Sequence, residues 1–127
     1  MAKIIDQEEL ANVNIIATGS CINGNLITEG DCRIDGLLKG NVSSKSKVIV
    51  GKTGIIEGNI QCEILEVEGR ITGELHIKEL LSLRNQSVVI GNLSVGKIAI
   101  EVGAEFEGNC KMLQLKSPKQ QPIVLNE

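Results

Sequence analysis

The chain has 127 residues, with thirteen Lys and Arg against sixteen Asp and Glu for a net charge of −3, so it carries no whole-chain basic field to draw nucleic acid. Eighteen Ile and ten Val stand against one aromatic, Phe106, which excludes an aromatic base-stacking platform and argues against a helical bundle. A 42% apolar fraction with 23% charge excludes a wholly disordered chain.

From the N-terminus, Met1-Ala-Lys-Ile-Ile5 runs straight into Asp6, Glu8 and Glu9 without a signal-peptide pattern, so a cytoplasmic protein is expected. Residues 1–13 read as a short tail. The stretch from Ala11 to Thr28 is uncharged, but its Asn, Gly, Ser and Thr residues rule out a spanning helix. From there the chain repeats. The pattern Φ-x-Gly-[Asn/Glu]-Φ, with Φ aliphatic, Phe or Cys, centres on Gly24, Gly40, Gly58, Gly73, Gly91 and Gly108. The steps are 16, 18, 15, 18 and 17 residues, a near-constant period of the kind that marks a solenoid.

Alternating apolar pairs follow the first five glycines: Cys32/Ile34, Val48/Val50, Leu65/Val67, Leu81/Leu83 and Ile98/Ile100. A weaker set, Leu38, Ile56, Ile71, Val89 and Phe106, leads into the next motif. Each repeat therefore predicts three short strands of period two, joined by corners rich in Gly, Asn, Ser and Lys. About 17 residues over three faces is one coil of an all-β, single-stranded parallel β-helix, and six coils are expected over residues 14–113. The Φ, Gly and Φ positions are expected to point into the lumen, with glycine making room for its neighbours, and the residues between them outward. A lumen so narrow takes aliphatic ladders and has no place for large rings. Residues 114–127, with Pro118 and Pro122, read as a flexible tail.

No catalytic constellation is evident, and no cofactor or metal is expected. Val50-Gly51-Lys52-Thr53 echoes a phosphate loop, but Ser46 stands where that motif needs glycine. His76, the only histidine, has neither an oriented partner nor a pocket in view. Cys21, Cys32, Cys62 and Cys110 lack the close spacing of zinc ligands; Cys32, Cys62 and Cys110 share parity with lumen positions, while the place of Cys21 is open. A six-residue beat through Val50, Ile56 and Cys62 touches the hexapeptide-repeat acyltransferases, but Glu68 breaks it.

Solenoid ends expose unpaired strand edges and lumen side chains unless capped, and no capping helix is legible, so end-on self-association is expected. Ile15, Ile16, Ile22 and Leu26 are the candidate contacts at the N-terminal end. Phe106, Cys110 and Met112 are those at the C-terminal end, with Phe106 in the one coil where a ring need not fit beneath another. A β-helical adaptor that binds partners without polymerising is the first alternative, and an enzyme like the hexapeptide-repeat acyltransferases is the second.

The run from Asn14 to Met112 resembles a bactofilin. The residues that carry the likeness are Ile22-Asn-Gly-Asn-Leu26, Gly30-Asp-Cys-Arg-Ile-Asp-Gly36, Val50-Gly-Lys-Thr-Gly-Ile-Ile-Glu-Gly58-Asn-Ile60 and the closing Val102-Gly-Ala-Glu-Phe-Glu-Gly-Asn-Cys-Lys-Met112. The resemblance implies a right-handed triangular β-helix that stacks end to end into non-polar, nucleotide-independent filaments. It also implies a place on the inner face of the cytoplasmic membrane and a scaffolding role for cell-wall enzymes or other envelope proteins. Lys3, Ile4 and Ile5 match the family's short apolar membrane contact. The tails here are shorter than is usual in the family.

Overall fold

A computed structural model describes residues 13–113. These form twelve strands and no helix, every pairing parallel. Lys3, Ile4, Ile5 and the C-terminal tail lie outside the described residues. The first two coils use three separate strands each: β1 (Val13–Ile16), β2 (Cys21–Asn23) and β3 (Leu26–Thr28), then β4 (Asp31–Ile34), β5 (Leu37–Lys39) and β6 (Val42–Ser44). Strands β7 (Lys47–Val50) and β8 (Ile55–Glu57) continue the pattern. Pairing then runs unbroken around the corners, giving β9 (Ile60–Val67), β10 (Arg70–Leu83), β11 (Val88–Ile100) and β12 (Glu105–Met112).

Strand register stacks the coils residue on residue. The first face pairs β1, β4 and β7 with the later stretches 64–67, 80–83 and 97–100. The second pairs β2, β5 and β8 with 70–72, 88–90 and 105–107. The third begins at β3 and ends at 109–112. The inward residues form ladders such as Ile16–Ile34–Val50–Val67–Leu83–Ile100 and Ile22–Leu38–Ile56–Ile71–Val89–Phe106. In the middle coils these side chains are wholly buried, and each is worth about 1.5–3 kcal/mol relative to exposure. β-Branched and leucine side chains fit this lumen because identical shapes recur about 4.8 Å apart along the axis.

The unequal repeat lengths reside in two corners. Between the first and second faces, coils one, three, five and six make four-residue turns at 17–20, 51–54, 84–87 and 101–104, whereas coils two and four turn in two residues, Asp35–Gly36 and Glu68–Gly69. Between the third face and the next coil, two residues suffice, or one at Glu63 and at Gly96, which is the irregularity in register between Ile77 and Leu80. Glycine steps of 15 and 16 pass a short first corner and those of 17 and 18 a long one. The faces themselves never change length.

The repeat glycines do not sit at the inward centre of a strand. Each lies at the corner between the second and third faces with positive φ, +152° at Gly58. A Cβ there would point along the axis and overlap the carbonyl oxygen of Gly40 in the coil before, so glycine is required by axial approach, not by lumen crowding. The asparagines beside these glycines point outward but are more than solvated surface. Asn25 Oδ1 accepts from the Asn41 N–H (3.1 Å), Asn41 Oδ1 from the Asn59 N–H (3.1 Å), and Asn59 Oδ1 from the Glu74 N–H (3.2 Å). Glu74 interrupts the ladder, and Asn109 and Asn92 resume it side chain to side chain.

Cys32 and Cys62 are buried in the lumen, and burial pushes their thiols up from an ordinary value of 9.0 to about 11 and about 12. Cys21 lies exposed on the outer side of the second face, in register with Leu37.

Gly58→Ala should cost about 2 kcal/mol or more in urea unfolding, through backbone strain together with displaced coil stacking. Gly24→Ala, with φ also positive but open space around the new Cβ, should lose the strain alone; equal losses would remove the axial-approach explanation. The raised thiols give stability that is complete below pH 9 and drains away as pH climbs through 11 to 12, because the unfolded chain ionises first. Cys32→Ala with Cys62→Ala should flatten that alkaline fall in denaturant midpoints, and an unchanged slope would show that other groups cause it.

Candidate functional site

The ends of the stack are where the lumen ladders stop. At the C-terminal end, β12 pairs only with β11, so among the described residues its outer edge has no strand partner. Phe106 lies over Val89, Cys110 over Leu93 and Met112 over Val95. The three lower residues are buried. Above them Met112 is 50% exposed, Cys110 is exposed, and Phe106 is half-buried against the core. All three residues expected here therefore share one surface.

Two further members of that surface are Ile98 and Ile100, in register with the buried Leu81 and Leu83; Ile100 is 53% exposed. The sequence does hold a signal for them, since no described sixth pair lies above to cover them. Every lumen position of the last coil is thus apolar: Ile98, Ile100, Phe106, Cys110 and Met112.

The N-terminal end is chemically different. Its lumen positions are Asn14, Ile16, Ile22, Leu26 and Thr28, in register with Cys32, Ile34, Leu38, Val42 and Ser44. Asn14 Nδ2 donates to Thr28 Oγ1 (2.9 Å), a polar bridge between the first and third faces. Ile16 is nearly buried, and Ile22 and Leu26 are half-buried against the core. Ile15 is 60% exposed and in register with Arg33, which places it on the lateral surface of the first face, not over the lumen. Polarity continues one coil in, where the buried Ser44 Oγ donates to Gly30 O (2.8 Å) and accepts from the Ser46 N–H (3.0 Å).

Along the first face an ion-pair chain climbs toward the last coil. Lys47 Nζ meets Glu66 (3.1 Å), Glu66 meets Arg84 (3.8 Å), and Arg84 meets Glu101 (3.1 Å). The Asn85 N–H and Arg84 together hold the exposed Glu101 carboxyl below its usual range. Exposed pairs of this kind are screened by solvent and individually weak, but they fasten the turn at 101–104 to the coil beneath.

His76 stands exposed on the third face beside Gln61 and Ser94. Residues 51–54 form a corner closed by the Gly54 N–H donating to Gly51 O (2.8 Å), where Asp35 Oδ1 fills the space a Cβ on Gly51 would need. Among the described residues no three His, Cys, Asp or Glu side chains converge as metal ligands would.

The family model described as "Bactofilin: Polymer-forming cytoskeletal" matches residues 14–111. The chain is 31% identical over 98 residues to bactofilin BacO of Myxococcus xanthus (strain DK1622), which covers 77% of this chain and 78% of that protein. It is 21% identical over 127 residues to bactofilin BacP of the same organism, covering 98% of this chain and 53% of BacP, so it spans about half the length of that relative. Among solved structures, the cytoskeletal bactofilin BacA determined by solid-state NMR superposes with a TM-score of 0.73 at 33% identity, over 82% of this chain and 99% of that one. Thermus thermophilus bactofilin, reconstructed by cryo-EM as double helical filaments, gives a TM-score of 0.71 at 23% identity, over 79% and 99%; that likeness is one of fold. The stacked coils, the glycine corners and these matches agree: the chain belongs to the bactofilin family of polymer-forming cytoskeletal proteins.

Proposed function

We propose that this protein polymerises end to end through its terminal coils into non-polar filaments that need no nucleotide. The observation that carries the reading is the apolar lumen of the last described coil, where, among the described residues, side chains equivalent to wholly buried ones are left half-buried or exposed. Covering that surface with a second copy buries the side chains and satisfies the free strand edge at once. Stacking of this kind draws on hydrophobic burial and backbone hydrogen bonds, so no bound nucleotide is required. In a non-polar strand the two ends make different, isologous joints, each end meeting its like. The all-apolar C-terminal end makes the tighter joint, and the Asn14–Thr28 bridge makes the N-terminal one weaker.

A filament built this way repeats its lateral surface at every subunit, which suits it to gather cell-wall enzymes or other envelope proteins by multivalency. The cytoplasmic side of the membrane is the proposed location, with Lys3, Ile4 and Ile5 as the lipid contact. Residues 14–113 are the assembling domain, and 1–13 and 114–127 are its tails.

Electron microscopy of the purified protein without nucleotide or metal should show filaments; a monodisperse monomer across salt and concentration would favour the adaptor instead. Phe106→Arg removes a half-buried phenyl from each side of the C-terminal joint, about 1 kcal/mol a side for the area still open, enough to raise the assembly concentration at least ~10-fold and leave soluble β-helical species no larger than dimers joined at their N-terminal ends. Filaments that survive this change would take Phe106 out of the mechanism. Ile22→Arg should instead leave dimers joined at their C-terminal ends. Monomers from both variants would point to head-to-tail stacking.

A further inference from the structure

The second face of the rod changes character over its last three coils. One outward column there runs Arg70, Val88, Glu105, and its neighbour runs Thr72, Ile90, Glu107. All of these but Thr72 border a shallow groove of about 660 Å³ that reaches the Phe106 end. Arg70 and Glu105 stand two coils apart, roughly 10 Å along the axis, beyond ion-pair reach of each other. Among the described residues neither belongs to an ion pair. The surface is thus a half-buried apolar centre, Val88 and Ile90, with a free cation on one side and a free anion on the other.

Such a patch is complementary to itself. We infer that it is a lateral docking surface for a second copy of this chain lying antiparallel, with a twofold axis across the second face at Val88. That axis sets Val88 on the partner's Val88 and Ile90 on the partner's Ile90. It also sets Arg70 against the partner's Glu105, and the reciprocal pair forms on the other side of the axis.

The adjoining corner fits the same axis. The turn at 101–104 holds Val102 94% exposed, the most open of the large apolar side chains among the described residues. Two coils below, the two-residue corner Glu68–Gly69 lies between the four-residue turns of coils three and five. This makes a notch bordered by Lys52, Ile55, Gln86 and Val88. Its floor is bare backbone, because a Cβ on Gly69 would overlap the Gly51 and Gly54 carbonyl oxygens. The axis that joins coil four to the partner's coil six lays Val102 of one copy over the notch of the other. Shape and charge therefore select the same partner and the same register.

One such contact is small, and its strength in a filament rests on the end-to-end assembly proposed above, which repeats it along two strands. Antiparallel strands are compatible with filaments that have no polarity.

The test uses Val88→Cys in the full chain with Cys21→Ser and Cys110→Val, the second of which keeps the end lumen apolar, leaving only the buried native thiols. A short bis-maleimide should convert it to a covalent dimer, whereas Ser94→Cys on the third face should give at least tenfold less. Adding Glu105→Arg should cut the Val88→Cys yield at least tenfold, and adding Arg70→Glu to that should restore it. Electron microscopy should show paired strands for the wild type, single strands for Glu105→Arg, and paired strands again for the charge swap. Equal cross-linking at 88 and 94, or a charge swap that fails to restore pairing, overturns the proposal. Absence of filaments altogether contradicts the end-to-end reading instead; cross-linking at high protein concentration still decides the lateral contact in that case.

Discussion

Parallel strand pairing holds each coil about 4.8 Å from the next, and at that distance a backbone atom of one coil can occupy the space a side chain of the next would take. The glycine corner meets this limit most tightly: the carbonyl of Gly40 stands where a Cβ on residue 58 would go, and the same relation recurs from Gly40 to Gly108. Once that corner is closed by glycine, the flanking aliphatic residues fall into the lumen in register. The adjacent asparagines come within reach of the backbone of the next coil and hydrogen-bond to it.

The same constraint separates what can vary from what cannot. Faces keep their length because each residue has a partner above and below, whereas corners absorb one to four residues without disturbing the ladders. Long and short turns therefore leave ridges and notches on one edge of the rod, as at Val102 and Gly69, while the lumen stays uniform. Lateral recognition can change at the corners and outer columns without a change in the core.

Much of this architecture was legible in the sequence because period-two alternation within a period of about 17 leaves few alternatives for Ile34, Val50, Leu65 or Leu83. The glycines were legible as markers but not as corners: alternation alone gives residue 58 the parity of a lumen position, and only its φ and the Gly40 carbonyl reveal an axial direction. The asparagine ladder was hidden because outward polar residues have the same pattern whether they face water or the next coil. The corner lengths show in the sequence only as uneven steps, and strand register is needed to locate them. At the ends, Phe106, Cys110 and Met112 could be placed by their position in the last repeat. Ile15 could not, because alternation does not say which residue of β1 faces the lumen until its register with Arg33 and Ile34 is known.

The proposed end-to-end assembly rests on where the repetition of the described coils stops. A coil stack has no internal reason to end, and its last coil here is apolar at every lumen position, while its first coil carries Asn14 and Thr28. Amide hydrogen exchange on β12 in assembled protein, compared with the same protein diluted below its assembly threshold, tests this most directly. The account predicts that amides of 105–112 in the assembled state exchange as slowly as those of 88–95 beneath them, and become fast on dilution. Fast exchange at 105–112 in both states would mean that the C-terminal coil stays open in the polymer, and would contradict it.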